Sequence, residues 1–211
     1  MIRGSAAAGL LVLLWTSAAH AGLALCRRGH DGGRIVEALT RLRASVDPCG
    51  ESGQVLAVLD RVEHCARATY EICTSRTADR NLFYRPTAAP GRNAPRIITW
   101  NPDLRSELER GCDGNPSQSV TRDPVASLLH ELVHALEDCE GLEPGEHELE
   151  AVRIENIYRR SAGLCQRRRY GEELLPPAMS TTCTRLRPAT VFPRPHSRRT
   201  GEGETSSLPP T

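Results

Sequence analysis

Apolar residues recur at helical spacing in four stretches of this chain and form one short β-prone run. Residues 33–46 carry Ile35, Val36, Leu39, Leu42 and Val46, and residues 53–74 carry Val55, Leu56, Leu59, Val62, Ala66, Tyr70 and Cys73. The Asp47-Pro48-Cys49-Gly50 turn between them predicts an antiparallel helical hairpin. On this reading Cys65 and Cys73 share one face of the second helix, each tied to another element rather than to the other. Val125, Leu128, Leu129, Leu132, Val133 and Leu136 predict a third helix over about residues 124–140. Asp123 followed by Pro124 gives it a strong start, and Gly141 stops it. Leu149, Val152, Ile154 and Ile157 predict a fourth helix from Glu146 to Arg160, ended by Gly163. Arg96-Ile97-Ile98-Thr99-Trp100 is the β-prone run, closed by Asn101-Pro102. Residues 81–95 and 111–123 read as loops, and no internal repeat is present. The expectation is an α+β, mostly helical domain.

The ends of the chain change this picture. Arg3, the apolar run Gly9 to Trp15 and Ala19-His20-Ala21 have the order of a secretory signal peptide over residues 1–21. That run is too short to span a bilayer, and no other segment approaches the needed length. The expected mature chain starts near Gly22, is secreted or periplasmic, and has no stable membrane insertion. A lipid anchor on Cys26 is the competing reading, but Leu23-Ala24-Leu25 puts no small residue directly before the cysteine. From Thr184 onward the chain is rich in Pro, Ser, Arg and Gly. Residues 186–211 are therefore expected to be a disordered tail, which leaves one domain over residues 22–185.

All 8 cysteines follow residue 21. An even count in an exported chain implies a disulfide framework of up to four bridges, which supports a core with few aromatic residues. The absence of a Cys-x-x-Cys pair argues against a zinc ribbon. The formal net charge of +1 gives no steering toward nucleic acid, and a monomer is expected. All 27 basic residues are Arg, and the run Arg167-Arg168-Arg169 reads as a solvated turn.

The chemistry centres on His130-Glu131-Leu132-Val133-His134. Two histidines four apart project from one face of the third helix, one turn above the other. Their imidazoles can grip one Zn²⁺, and Glu131 stands beside a water on that metal as general base. A catalytic site needs a third protein ligand and leaves one position open. The fourth helix offers Glu146, His147, Glu148, Glu150 and Glu155. Glu148 ranks first, because Ala151 lets its helix approach closely. Glu150 is the runner-up ligand and His147 is third. Glu155, two turns on, suits a carboxylate partner for a histidine N–H. Tyr158, Tyr170 and Arg153 are the candidates to stabilise an oxyanion.

Glu-x-x-Ala downstream of His-Glu-x-x-His resembles the gluzincin branch of zinc metallopeptidases. Two families come closer. The NleD-like effector peptidases and their toxin-associated relatives are similar over Ile98 to Pro102, Leu129 to Ala135, Glu148 to Val152, Gly163-Leu164 and Tyr170-Gly171. The mitochondrial peptidase that assists ATP synthase assembly is similar from His130 through Cys139. The resemblance covers about residues 96–171. It implies a zincin-like fold with zinc on His130, His134 and Glu148, but carries no substrate over. The leading expectation is a secreted zinc peptidase acting on protein or peptide, with the strand at residues 96–100 as the candidate edge for an extended substrate. The alternatives are a non-catalytic module with structural zinc and a zinc amidase acting on cell-wall peptide.

Overall fold

Each helix of the computed structural model forms where apolar residues return to one side. Residues 22–26, 31–84, 95–109, 112, 117–144 and 147–175 are described. The signal peptide and tail assigned above lie outside them, as do Glu146 and Cys183. Helix α1 spans Gly32–Arg43 and α2 spans Ser52–Glu63. Ile35, Leu39 and Leu42 on α1 and Val55, Val58, Leu59 and Val62 on α2 are buried. The turn between them is the expected one: Gly50 N–H donates to the Asp47 carbonyl over 2.9 Å.

The second helix ends eleven residues earlier than the apolar spacing predicts. It stops at Glu63, and Thr69–Thr74 is a strand, β2. The helical period holds only to Val62. Beyond it, Tyr70 and Ile72 are buried and their neighbours are not, which is the two-residue alternation of a strand. Cys65 and Cys73 therefore share no helix face. They do tie to other elements, as expected: Cys26–Cys73 joins the end of β1 (Gly22–Leu25) to β2, and Cys65–Cys139 joins the segment after α2 to the end of α3. Cys112–Cys165 is a third bridge, and Cys49 is also disulfide-bonded. The Cys26 sulfur is thus engaged with Cys73 and not free to carry a lipid.

Three parallel strands and one antiparallel edge make the main sheet. Its order is β1-β2-β4-β3, where β3 is Leu82–Tyr84 and β4 is Arg96–Trp100. Strand β4 matches its prediction. Strand β3 falls in a segment read as loop, because three residues are too few to show alternation. With β2 on one side and β3 on the other, β4 has no edge left for a peptide substrate. Two further short pairs lie among the described residues: β5 (Glu107–Glu109) with β6 (Val120–Thr121), and β7 (Arg169–Tyr170) with β8 (Glu173–Leu174).

Helix α3 spans Pro124–Glu140, the predicted range. The Asp123 side chain accepts from Ala126 N–H at 2.9 Å. Gly141 closes the other end with φ 81°, a left-handed conformation that favours glycine. Fourteen of its seventeen residues are buried, so α3 is a central helix rather than a surface one. Burying each of Leu128, Leu129, Leu132 and Leu136 contributes roughly 1.5–3 kcal/mol. The sheet holds it at both ends. Trp100 Nε1 donates to the Pro124 carbonyl at 2.8 Å, while the Tyr70 hydroxyl donates to Asp138 at 3.0 Å. Helix α4 spans Glu148–Ser161 and packs against α3 with Ala151 fully buried.

Bridge Cys65–Cys139 closes a sequence separation of 74 residues. Replacing both cysteines by alanine should cost about 2–5 kcal/mol, on the order expected for a loop of that length. The check is a lower urea midpoint, with a slope that rises as the unfolded chain loses its cross-link.

Candidate metal centre

Helix α3 presents His130 and His134 one turn apart, with ring centroids separated by 4.9 Å and planes at 83°. Both side chains are mostly buried, at 12% and 8% exposure. Glu148 is the first residue of α4 and meets them from across the turn. Its Oε2 lies 3.0 Å from His130 Nε2 and 3.4 Å from His134 Nε2. One ligand atom from each of the three residues lies within 4.8 Å of the others, so the group could hold a metal ion. The other such group among the described residues, Cys26, Glu71 and Cys73, has both its cysteines in a disulfide.

The far sides of the two rings are also supported. His134 Nδ1 is 2.9 Å from Oε2 of Glu137, a fully buried carboxylate. His130 Nδ1 is 3.3 Å from Oε2 of Glu155, which is 1% exposed, an ion-pair contact without hydrogen-bond alignment. Carboxylates at Nδ1 orient imidazoles so that Nε2 faces the metal, and they raise ligand basicity. Glu155 stands where the spacing on α4 put it. Glu137 was missed, although its place three residues after His134 on one helix was the available signal.

Charge is tightly coupled here. Burial pushes the His134 imidazolium toward losing its proton, but hydrogen bonds to Glu137 and Glu148 outweigh this and push its pKa up to about 10. His130 is raised in the same way: burial opposes, while Glu148 and Glu155 prevail. Burial would raise Glu148, yet the two histidines hold it well below the usual carboxylate range. The three donors attract a proton strongly, and a metal ion would take its place.

Glu131 lines the same cleft as the three donors but is not one of them. Its Oε2 accepts from Phe83 N–H of β3 at 2.8 Å. Burial raises its pKa, opposed by the two histidines and that N–H. A cleft of about 260 Å³ lies over the site, lined by Leu82, Phe83, Pro144 and Tyr170 beside Glu131 and the three donors. The Tyr170 ring stacks on His130 at 6.0 Å and 16°, and its hydroxyl interacts with Glu148.

The remaining candidates lie elsewhere or face other partners. Arg153 grips Glu150 at 2.7 and 2.6 Å and also reaches Gln54, which draws Glu150 away from the histidines. His147 Nδ1 lies 3.4 Å from Glu137, behind His134. Tyr158 is buried and interacts with Asp123 and Arg41. The run at Arg167 is no solvated turn: Arg167 is nine-tenths buried and pairs with Glu155 at 2.9 Å.

No protein-family model matches this chain, and no curated protein or solved structure matches it.

Two outcomes follow from this geometry. Glu137→Gln should weaken divalent-metal affinity by about 10- to 100-fold in chelator competition, whereas Glu150→Gln should leave it within about twofold. Metal binding should also release protons. A protonated imidazole cannot ligate, and His134 holds its proton up to about pH 10, so affinity should rise with pH from 6 to 9. Calorimetry in buffers of different ionisation enthalpy reads the protons released.

Proposed function

We propose that this chain is an exported zinc-dependent peptidase with a zincin-like centre on His130, His134 and Glu148. The donor chemistry supports zinc. Two imidazoles and one carboxylate match a catalytic zinc set, and bonds of about 2.0–2.1 Å place tetrahedral ligands about 3.3 Å apart. The Glu148 oxygen sits 3.0 and 3.4 Å from the two ring nitrogens. Export is supported by the disulfides, and no described helix is long and apolar enough to cross a membrane.

The observation that carries the reading is Glu131. A buried carboxylate stands beside the donor set without belonging to it, one oxygen pinned by the Phe83 N–H. A purely structural zinc site has no use for such a group and closes with four protein ligands. Among the described residues the cluster offers three.

When bound, zinc supplies Lewis acidity and lowers the pKa of a water toward about 7. Glu131 would take a proton from a water in the cleft and return it to the departing amine. Burial suits it to both steps, because a carboxylate with a raised pKa holds a proton more readily. The Tyr170 hydroxyl, at the rim of the cleft, is the donor placed to meet a developing oxyanion. Tyr158 and Arg153 do not line the cleft and take no such role.

Glu131→Gln should keep one zinc per chain and lose peptide hydrolysis by about 10²- to 10⁴-fold. Glu148→Gln should weaken zinc far more than Glu150→Gln does. Metal analysis beside a fluorogenic peptide assay reads both. Unchanged hydrolysis in Glu131→Gln would remove the peptidase reading and leave a zinc-stapled module in its place.

A further inference from the structure

A second cavity, of about 170 Å³, adjoins the cleft over the donors. The two share Arg80, Asn81, His130, Glu131 and Tyr170 in their walls. The second adds Arg122, Arg167, Ser127, Leu108 and one carboxylate, Glu155. Its polar lining is therefore weighted toward hydrogen-bond donors and positive charge.

Three of those groups lack adequate partners. Arg122 is half-buried, and its Nε donates to Ser106 Oγ at 3.2 Å. No carboxylate among the described residues forms an ion pair with it. Burial lowers its pKa, the mark of a guanidinium short of compensation. Arg167 reaches Glu155 through Nη1, but its buried Nε has no hydrogen-bond partner. Asn81 is 5% exposed; its Oδ1 accepts from Asn101 N–H at 2.7 Å, while its Nδ2 is left without an acceptor. Glu155 cannot neutralise the region alone, because it already serves Arg159 at 2.7 Å and Arg167 at 2.9 Å. Glu131 is the other carboxylate present. Three guanidiniums, those of Arg80, Arg122 and Arg167, thus line the cavity with two carboxylates, one of which is already shared with Arg159. Buried donors and an under-compensated guanidinium are stabilised by a ligand that brings acceptor oxygens and negative charge.

We propose that this cavity is a subsite for a carboxylate of the substrate, held by Arg122 with Arg167 and Asn81 next to the bond being cut. The inference rests on the peptidase reading and names its substrate class: peptides with an acidic group beside the scissile bond. That group is either an Asp or Glu side chain or the peptide's own C-terminal carboxylate.

The test uses the full chain carrying its metal. Paired peptides differ by Glu against Gln at each position around the cleavage site, and each is made with a free or an amidated C-terminus. Glu is expected to exceed Gln by at least about tenfold in kcat/KM if the side chain is read. Free is expected to exceed amidated by a similar factor if the terminus is read. Arg122→Gln should collapse the ratio toward one, and Arg122→Lys should retain part of it. Cleavage with neither preference, or a preference that survives Arg122→Gln, overturns the subsite and leaves the peptidase reading standing. A binding arm is independent of turnover. N-acetylglutamate should raise the Tm of the metal-loaded chain more than N-acetylglutamine does, and Arg122→Gln should remove the difference. If no peptide is cut, the peptidase reading fails and this arm alone decides: a glutamate-specific shift supports the anion site, and its absence overturns it.

Discussion

Glu155 is the buried charge on which the α3–α4 pair depends. It lies almost without exposure inside α4 and reaches in three directions: to Arg159 at 2.7 Å, to Arg167 at 2.9 Å and to His130 at 3.3 Å. Burial alone would favour its protonation, but the two guanidiniums and the imidazole hold it well below the usual carboxylate range. Arg159 extends the network to the carbonyls of Thr121 and Cys165. One carboxylate thus joins the approach to α3, the exit from α4 and the Nδ1 side of His130. Removing one partner from such a buried pair costs about 3–5 kcal/mol, because a charge is left without compensation.

The rest of the fold keeps α3 still. Its first turn is fixed to β4 through Trp100, and its last turn to β2 through Tyr70 and to the α2 exit through Cys65–Cys139. Metal and catalytic groups tolerate only about half an ångström of misplacement. A helix anchored at both ends, with carboxylates behind both rings, meets that demand in a chain whose core has few aromatic residues. The proposed chemistry places its water-activating group on the same helix, and β3 steadies it through a backbone N–H.

What the sequence disclosed follows from the range of each signal. Helix α3 was legible to the residue because Asp123, Pro124 and Gly141 act locally and agree with the apolar period. The histidine pair came with it. Glu148 over Glu150 was a ranking from residue pattern, and Arg153, three residues after Glu150 on α4, is what separates them. Strand β2 was hidden because its apolar residues continue a helical count from Val62, and because its parallel neighbours β1 and β4 come from distant parts of the chain. Strand β3 and the burial of Arg167 have no local signature at all. The first is made by pairing with β4 and the second by Glu155, so both exist only once the tertiary structure does.

The central claim is that His130, His134 and Glu148 converge on one metal, and absorption spectroscopy of that metal tests it most directly. Zinc K-edge spectra of the purified chain should show one zinc bound by two imidazole nitrogens and oxygen ligands at about 2.0–2.2 Å, with no sulfur. The imidazole scattering should halve or vanish when His134 is replaced by alanine. Sulfur in the first shell, or a spectrum unchanged by that replacement, would place the metal elsewhere and contradict the account.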